Sequence, residues 1–534
     1  LRAKKAGFDI IYCYAGHGLT LAMQFLMRRT NDRNDEYGGS LVNRVRFLRE
    51  LIEDTKEAVG DTCAVALRMA IDEMLGESGI THQGEGHDIV AMLAELPDLW
   101  DVNVSGWSND SATSRFEKEG FQEKYISFVK KLTTKPVVGV GRYTSPDSMV
   151  SAIRRGVVDL IGSARPSIAD PFLPMKIKEN RPEDIRECIG CNICVTGDTR
   201  IVPIRCTQNP AMGEEWRRDW HPESIAIAKT KEDILIVGAG PSGLECARAL
   251  GQRGYSVTVV DSRREPGGRV VRECALPGLN EWRRVIDWRL TQINKLKNVS
   301  FFPSSKMNSD DILETGIENV IIAAGSEYRR DGMGRSIFEP IPGCHLPHVF
   351  TPDDILGENQ KNLSGKVLIY DDDHYYMGGA LAEMLQQNGC EVTYITPSPM
   401  VSYWTQFSLE QEKIEKKLLH LGIRLYTRHT LINIETGKAL IHSTLGDHKE
   451  QIEIDNVVLV SDRVPNDALY NELLPAIANG KLKTLGLIGD AEAPGIIASA
   501  VFSGHLAARN FGEIINADET PFKIERVFPN IQAV

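Results

Sequence analysis

Four cysteines in one short stretch have the types and spacing of ligands to a metal centre. Cys188, Cys191 and Cys194 are separated by two residues each, and Cys206 follows soon after. Four thiolates so arranged can surround one iron–sulfur cluster. Structural zinc usually takes two well-separated cysteine pairs, so zinc is the weaker alternative and four unrelated buried thiols the weakest. The spacing therefore predicts a [4Fe–4S] cluster and electron transfer.

The segment that ends near Pro174 alternates short apolar runs with amphipathic helical stretches. We predict strands at Ile10–Tyr14, Ala64–Met69, Trp100–Val104, Pro136–Val140 and Asp159–Gly162. Such alternation indicates a parallel sheet, and its regular spacing favours a (β/α)8 barrel over a doubly wound sheet. Since a closed barrel needs eight strands, we expect about three further β/α units upstream of Leu1.

Glycines followed by an arginine stand at the ends of the last two predicted strands, where a barrel does its chemistry. These residues are Gly141, Arg142, Gly162 and Arg165. Bare backbone N–H groups beside a guanidinium suit a phosphate. The alternative is that the glycines only form tight turns.

The second half of the chain opens with a glycine-rich turn between a predicted strand and a helix. The pattern consists of Gly238, Gly240 and Gly243, then Asp261 at the end of the next predicted strand, then Gly268. A lone glycine motif is a weak signal. Here the strand, the helix and the acidic ribose partner are all present, so we predict an adenine dinucleotide or ADP site.

A third α/β unit is predicted at about Lys366–Asp462, inserted into the second. Where a second glycine fingerprint would bind NAD(P)H, this unit has three consecutive aspartates, Asp371 to Asp373. Carboxylates repel a pyrophosphate, and the next predicted strand ends without a charged ribose partner. We therefore expect no nicotinamide binding here, whether the aspartates line the site or form a solvated loop.

Composition limits the class of protein. The chain has 534 residues, 42% hydrophobic and 25% charged, which is typical of a soluble globular protein with several domains. A net charge of −12 argues against nucleic-acid binding, and no apolar run is long enough to span a bilayer. The ten cysteines suggest a reducing compartment, so we expect a cytoplasmic enzyme.

Several motifs resemble those of a known family. The stretch from Gln24 to Phe47, which contains Asp35-Glu-Tyr-Gly-Gly-Ser40, resembles the flavin-barrel signature of old yellow enzyme relatives. Together with the cysteine motif and the dinucleotide fold, the chain is similar over nearly its whole length to the trimethylamine dehydrogenase and 2,4-dienoyl-CoA reductase group. The stretches Gly213-Glu-Glu-Trp-Arg-Arg and Gly489-Asp-Ala-Glu-Ala-Pro494 look closest to the amine dehydrogenase branch.

The resemblance implies roles for individual residues. It makes Tyr14, His17 and Asp110 a polar triad beside an FMN, and it places Arg68 near the flavin pyrimidine edge. It also places Arg142 and Arg165 at the FMN phosphate, and Asp490 as in flavoprotein disulfide reductases. The chemistry agrees, since such a relay can tune the charge of an amine and an arginine can stabilise a reduced flavin. Each residue alone would more often be an ordinary satisfied polar group.

The implied substrate pocket departs from the family in one wall. Trp107 matches an aromatic residue that holds a methylated ammonium, where a cation over an indole face is stabilised. The tryptophan expected between the third and fourth cysteines is replaced by a stretch that contains Asp198 and Arg200. Because an arginine fork suits a carboxylate, we expect a carboxylated N-methylamine. The alternatives are a loop tryptophan, and an Arg200 that is solvated or paired with Asp198.

We therefore predict an iron–sulfur flavoprotein dehydrogenase that demethylates an N-methylated amine or amino acid. Electrons would pass from FMN to the cluster and on to an electron-transferring flavoprotein, and we expect a homo-oligomer. The alternatives are an NAD(P)H-dependent enoate reductase and a non-catalytic fragment. The expected domains are an FMN barrel (1–180), a cluster segment (181–230), an ADP- or FAD-binding Rossmann-like domain (231–355 and 463–515), an inserted unit (356–462) and a C-terminal tail (516–534).

Overall fold

A computed structural model describes residues 1–217, 220–357 and 361–513, and within them the chain forms two compact units. The first unit contains residues 1–112 and 117–182. The second contains residues 113–116 and the described part of the chain from residue 183 onward. The predicted tail at 516–534 lies outside the described residues.

The first unit alternates strands with helices. Its strands are β1 (Ile10–Ala15), β2 (Ala64–Asp72), β3 (Leu99–Val104), β4 (Val137–Gly139) and β5 (Leu160–Ile161). Its helices are α1 (Arg2–Lys5), α2 (Leu21–Leu26), α3 (Leu41–Val59), α4 (Glu85–Leu93), α5 (Trp107–Asp110), α6 (Glu123–Ile126), α7 (Pro146–Arg154), α8 (Ala164–Ala169) and α9 (Leu173–Lys178).

The five strands of the first unit pair in chain order, and every pair is parallel. Sequential order with a helix between neighbours is the arrangement of a (β/α) barrel, whereas a doubly wound sheet reverses its order. The fold class predicted for this segment is confirmed. β2 is buried along almost its whole length, as expected for a parallel strand covered on both faces.

Residues at both ends of helix α3 determine where it begins and ends. The side chain of Ser40 accepts a hydrogen bond from the backbone N–H of Asn43 and so caps the first turn. Leu48 and Ile52 are buried one turn apart, which gives the helix its core-facing side. Gly60 then ends the helix with φ of 60°, a backbone conformation that favours glycine.

The second unit contains two Rossmann-like sheets and two small antiparallel sheets, one of which pairs β10 with β19. Its strands are β6 (Asp233–Val237), β7 (Ser256–Val260), β8 (Val299–Phe302), β9 (Asn319–Ile322), β10 (Ser326–Tyr328), β11 (Val349–Phe350), β12 (Lys366–Asp371), β13 (Glu391–Thr396), β14 (Arg424–Thr427), β15 (His429–Glu435), β16 (Lys438–Ser443), β17 (Lys449–Glu453), β18 (Asn456–Val460), β19 (Arg463–Pro465) and β20 (Thr484–Leu487). Its helices are α10 (Ile193–Thr199), α11 (Pro241–Arg253), α12 (Val270–Glu273), α13 (Arg284–Asn294), α14 (Ser309–Glu314), α15 (Pro352–Leu356), α16 (Tyr376–Gln387), α17 (Gln411–His420), α18 (Ala468–Ala478) and α19 (Ile497–Asn510).

The order of strands separates the two Rossmann-like sheets. One sheet has the order β20-β9-β6-β7-β8 and the other β11-β18-β12-β13-β14, with parallel pairing throughout. In each sheet, successive strands are added first on one side of the first long strand, β6 or β12, and later on its other side. That reversal is the topological switch point where such folds bind nucleotides. Strands β15, β16 and β17 form a separate antiparallel sheet.

A buried ion network joins three helices of the second unit. Glu245 of α11 lies 2.9 Å from the guanidinium of Arg289 and 2.8 Å from Nδ1 of His505, and all three side chains are buried. Burial alone would raise the pKa of Glu245, but Arg248, Arg289 and His505 hold it well below its ordinary value. Burial lowers the pKa of His505 to about 4. The carboxylate is therefore the charge that balances the arginines.

Among the described residues, no helix combines the length and the apolar composition needed to cross a membrane.

Replacement of Glu245 by Gln should lower the free energy of unfolding by about 3 kcal/mol, because it leaves buried arginines without their counter-charge. Chemical denaturation followed by tryptophan fluorescence measures this change. Glu391→Gln is the matched control, since its ion pair with Arg424 is exposed and should contribute almost nothing. Equal losses in the two variants would contradict the expectation.

Candidate active site and cofactor sites

A tight turn after β1 brings two of the predicted site residues together. The backbone of Gly16 passes so close to the ring of Tyr14 that an added Cβ would lie 2.7 Å from it. His17 and Gly18 then have φ of 57° and 66°. A left-handed conformation is uncommon for a residue other than glycine. It folds the chain back, so that Nδ1 of His17 forms a hydrogen bond with the hydroxyl of Tyr14.

The third member of the predicted triad completes this hydrogen-bonded chain. Nε2 of His17 lies 2.9 Å from Oδ2 of Asp110, which ends the short helix after β3. The other carboxylate oxygen accepts a hydrogen bond of 2.6 Å from Nε2 of Gln122. Burial would raise the pKa of Asp110, but the bonds from His17 and Gln122 outweigh it and lower the pKa. Asp110 is therefore an ionised end to the Tyr14–His17 relay.

Arg68 lies beside this triad on β2. Its Nη1 is 2.9 Å from Oδ2 of Asp101, and its Nη2 is 3.7 Å from Oδ2 of Asp110. Burial opposes its charge, but the two carboxylates raise the pKa of Arg68 above its ordinary value. Burial raises the pKa of Tyr14, an effect that Arg68 partly opposes. A fixed positive charge of this kind can stabilise an anion that develops nearby.

Sequence reasoning missed three buried polar residues around the triad: Asp101, Asn103 and Gln122. A signal existed for two of them, since Asp101 and Asn103 are two residues apart in an otherwise apolar strand and therefore share one face. One oxygen of each of the three side chains has no hydrogen-bond partner among the described residues. Buried polar atoms without partners are rare, and each calls for an explanation such as a bound ligand, an ordered water or a rotated amide.

The predicted phosphate cradle is built of backbone that has no room for side chains. Gly141 has φ of 158°, and an added Cβ would lie 3.1 Å from Cα of Gly120. An added Cβ at Gly162 would lie 2.6 Å from Val140. The neighbouring Arg142 is buried and donates to the backbone carbonyl of Glu117. Arg165, next to the other glycine, donates to the carbonyls of Ser111 and Ala112. Bare backbone flanked by two guanidinium groups fits a phosphate such as that of FMN.

The cysteine segment turns through left-handed residues so that its sulfurs approach one another. Gly190 and Asn192 have φ of 63° and 56°, and the N–H of Gly190 lies 3.4 Å from Sγ of Cys188. Burial raises the pKa of Cys191 to about 12, which hydrogen bonds from Thr207 and a backbone N–H oppose. Burial likewise raises the pKa of Cys206 to about 11. Thiols in such surroundings become thiolates when a metal coordinates them.

The spacing of the cysteine side chains bears on the kind of metal centre that they could hold. Nowhere in the described chain do three His, Cys, Asp or Glu side chains come close enough together to hold one metal ion. Yet the thiolate forms of Cys188, Cys191 and Cys206 are near enough to repel one another. An iron–sulfur cluster spaces its ligands more widely than one zinc ion does, and backbone N–H groups commonly hydrogen-bond to its sulfurs. The four thiols are a donor set of the kind that holds a [4Fe–4S] cluster.

The first Rossmann-like turn has the geometry of a pyrophosphate site. An added Cβ at Gly238 would lie 2.2 Å from the carbonyl oxygen of Ala323, and one at Gly243 would lie 1.9 Å from that of Gly238. Around Gly240, by contrast, no atom lies within 4 Å of an added Cβ. Two glycines therefore allow tight packing, and the third leaves its backbone open to a ligand. Gly268 packs against this same turn.

The two carboxylates that were predicted to bind a nucleotide accept hydrogen bonds from other groups of the protein. Asp261 accepts hydrogen bonds from the backbone N–H groups of Ala239, at 2.7 Å, and Arg263, at 2.8 Å. Oδ2 of Asp490 accepts from Ser326 at 3.0 Å and from Arg463, and Oδ1 accepts from the N–H of Gly495 at 3.0 Å. Asp261 holds the glycine turn in place, and Asp490 is engaged through both oxygens.

The aspartates of the inserted unit do not form a solvated loop, so that alternative is wrong. Asp371 and Asp372 are completely buried. Asp371 accepts a hydrogen bond from the hydroxyl of Tyr394 and another from the N–H of His374, and burial raises its pKa to about 6. An added Cβ at Gly378 would lie 2.7 Å from this carboxyl group. The carboxyl group of Asp371 therefore fills the space beside the first turn of α16, where a pyrophosphate would bind.

The two predicted substrate residues lie in different units. Trp107 begins α5, three residues before Asp110, and is partly buried. Arg200 ends α10 and is exposed, and its guanidinium lies 4.7 Å from the ring centre of Phe407 and 5.5 Å from that of Trp404. Arg200 therefore stacks on aromatic rings. Its contact with a substrate stays a prediction.

Comparisons with known proteins agree with this division of the chain. Residues 1–184 match the NADH:flavin oxidoreductase / NADH oxidase family, and residues 232–484 match pyridine nucleotide-disulphide oxidoreductases. Dimethylamine dehydrogenase of Hyphomicrobium sp. (strain x) is 39% identical over 98% of this chain and 75% of its own length. The probable N-methylproline demethylase of Rhizobium meliloti (strain 1021) is 30% identical over 90% of this chain and 69% of its own length.

A solved structure gives the same result. Histamine dehydrogenase from Rhizobium sp. 4-9 superposes with a TM-score of 0.94 at 46% identity, covering 99% of this chain and 77% of that one. A flavin-type barrel joined to a disulphide-reductase-like unit defines the class, which is that of flavoprotein oxidoreductases. The chain belongs to the NADH:flavin oxidoreductase / NADH oxidase family and is an enzyme. The resemblance inferred from the sequence motifs is confirmed.

Replacement of Cys191 by Ala should remove the iron from the purified protein and abolish the paramagnetic signal of its reduced form, because one of four cluster ligands is lost. Iron analysis and electron paramagnetic resonance measure this. Cys246→Ala is the matched control, since Cys246 is buried in α11 and lies outside the cysteine motif. Zinc in place of iron in the unchanged protein would overturn the cluster assignment.

Proposed function

We propose that this enzyme is an amine dehydrogenase that oxidises an N-methylated amine. The substrate loses a hydride from a methyl group and becomes an iminium ion. Water then adds to the iminium carbon, and the C–N bond breaks to release formaldehyde and the demethylated amine. Two electrons and one proton leave the methyl group for an oxidised acceptor, for which FMN is the group that would supply hydride-accepting chemistry when bound.

The observation that carries this proposal is the hydrogen-bonded relay of Tyr14, His17 and Asp110. An amine must be neutral to lose hydride, because an ammonium nitrogen has no lone pair to stabilise the iminium. The relay supplies a proton acceptor at Tyr14, whose proton can move to His17 while Asp110 balances the charge.

The inserted unit supports a dehydrogenase over an NAD(P)H-dependent reductase. The buried carboxyl group of Asp371 lies beside Gly378 in the first turn of α16, the region where a dinucleotide phosphate would lie. A phosphate placed there would meet both electrostatic repulsion and a lack of space. We therefore propose that the electrons come from the amine and leave through the cysteine cluster to a protein acceptor such as an electron-transferring flavoprotein.

The second nucleotide is proposed to be ADP. In a flavin dinucleotide site, a carboxylate with free oxygens after the last sheet strand could accept hydrogen bonds from the ribityl hydroxyls. Asp490, in that position, has both oxygens bonded to Ser326, Arg463 and Gly495. Gly240 remains open to a pyrophosphate. Chromatography of the nucleotides released by denaturation should therefore yield FMN and ADP, and release of FAD would contradict the assignment.

Arg200 is proposed to bind a substrate carboxylate. Its stacking on Trp404 and Phe407 uses the faces of the guanidinium and leaves the N–H groups at its edge able to donate. The relatives divide on this point, since a demethylase of N-methylproline acts on an amine with a carboxylate and a dimethylamine dehydrogenase on an amine without one. Substrate comparison therefore tests the assignment directly.

Replacement of His17 by Gln should slow flavin reduction by the amine on the order of 10²-fold near neutral pH, because Tyr14 loses the base that takes its proton. Burial already raises the pKa of Tyr14, so the rate should recover only at a higher pH than in the unchanged enzyme. Anaerobic stopped-flow across pH measures this. His87→Gln is the control, since His87 is exposed on α4, and its profile should not change. An unshifted His17→Gln profile would exclude the relay.

NADH and NADPH should fail to bleach the flavin under anaerobic conditions, whereas an N-methylated amine should bleach it in a single turnover. The reason is that the buried carboxyl group of Asp371 lies at the phosphate position of the inserted unit. Absorbance of the flavin measures both reactions in one sample. Rapid reduction of the flavin by NADH alone would favour the NAD(P)H-dependent reductase instead.

Replacement of Arg200 by Ala should weaken transition-state binding of dimethylglycine or N-methylproline by about 2–3 kcal/mol, the scale of a lost charge-assisted hydrogen bond. The value of kcat/KM for these substrates should fall accordingly, and kcat/KM for dimethylamine should stay almost unchanged. Steady-state rates with a soluble electron acceptor measure this. Arg335→Ala is the matched control, since Arg335 also lies over Trp404, at 5.9 Å. Equal losses on both kinds of substrate would show that Arg200 supports the aromatic cluster only.

A further inference from the structure

Asn103 lies in β3 and is completely buried within hydrogen-bond distance of His17. Its Nδ2 atom is 2.8 Å from Nε2 of His17, and its Oδ1 atom has no partner among the described residues. The same Nε2 lies 2.9 Å from Oδ2 of Asp110. An amide and a carboxylate therefore contact the same ring nitrogen, which decides whether each of them donates or accepts a hydrogen bond.

A ring nitrogen either carries a proton and donates it or lacks one and accepts. Asp110 accepts only, because bonds from His17 and Gln122 outweigh burial and lower its pKa. Nε2 must therefore carry the proton, since two lone pairs 2.9 Å apart would repel one another. Asn103 can then approach this nitrogen only with an acceptor atom. Rotation of the amide by 180° places Oδ1 there and gives that oxygen the partner it lacked.

We propose that Asn103 is a positioning residue that accepts a hydrogen bond from Nε2 of His17 through its carbonyl oxygen. With the proton held on Nε2 by two acceptors, Nδ1 is left bare and faces the hydroxyl of Tyr14. The second acceptor also stabilises the imidazolium that forms when His17 takes the tyrosine proton. The hydrogen bond is independent of the reaction, and only its catalytic consequence rests on the proposed function.

Other charged and titratable groups reach His17 from every element packed around it. These groups are Tyr14 on β1, Arg68 on β2, Asp101 on β3 and Asp110 on α5. All of them stay in place when Asn103 is changed. A pair of variants at this one position therefore isolates the effect of the amide.

Asn103→Leu and Asn103→Asp should move the titration of the His17 ring in opposite directions. Leu removes an acceptor from Nε2, so the ring should take up its proton at a pH about one unit lower. Asp replaces the acceptor with a charged one of the same size, so the midpoint should rise. Nuclear magnetic resonance of ¹³Cε1-labelled histidines in the FMN-loaded protein measures both shifts, and His17→Gln identifies the signal.

The direction of these shifts decides the proposal. If Asn103 instead donated through Nδ2 to a bare Nε2, its loss would move the midpoint upward, and that result would overturn the assignment. An unmoved midpoint in both variants would overturn it as well. Asn103→Asp should raise the midpoint under either assignment, so Asn103→Ala, which also removes the amide, gives the deciding shift if the Leu variant fails to fold. Flavin content and circular dichroism establish which variants are folded.

Kinetics separates this inference from the proposed reaction. In Asn103→Leu, the limiting rate of flavin reduction by the amine should fall on the order of 10-fold at neutral pH, with an unchanged apparent Kd for the amine. A general loss of structure would change both quantities. If the NMR midpoint moves as expected while the reduction rate does not change, the hydrogen bond is supported and the relay in the proposed function fails.

Discussion

The site in the first unit depends on one partly buried negative charge, the carboxylate of Asp110. A carboxylate out of water must have its oxygens satisfied, and here His17 binds one oxygen and Gln122 the other. Because that carboxylate can only accept, it decides which ring nitrogen of His17 carries a proton. The tautomer in turn decides that Tyr14 meets a base. The order of the whole relay therefore follows from the ionisation of a single residue.

Much of the architecture could be predicted from local pattern. The alternation of apolar runs and amphipathic stretches predicted all five strands of the first unit to within a few residues. The glycine turn at Gly238 was equally readable, since its strand, helix and acid are close together in the sequence. These features are local, and each depends on only a few neighbouring residues.

The residues that sequence analysis missed depend on distant partners. Asn103 and Gln122 are ordinary amides until sheet pairing and loop geometry bring them to His17 and Asp110. Asp371 and Asp372 looked compatible with a solvated loop because burial cannot be read from three consecutive acids. Their hydrogen bonds come from residues as far away as Tyr394 and Ser336. The local pattern put Asn103 on one strand face with Asp101, but it contains no signal for these distant contacts.

The left-handed backbone at His17 limits how this position can vary. At φ of 57° a side chain with a branched Cβ is strained, and asparagine, aspartate and glycine tolerate the conformation best. Asparagine could keep the turn but lacks a ring with two nitrogens, so it would break the chain from Tyr14 to Asp110. The backbone conformation therefore favours asparagine at this position, whereas the proton relay requires histidine. In any collection of natural or selected variants, we expect histidine to be exchanged here only together with the loss of the relay, and asparagine to be the residue that replaces it most readily.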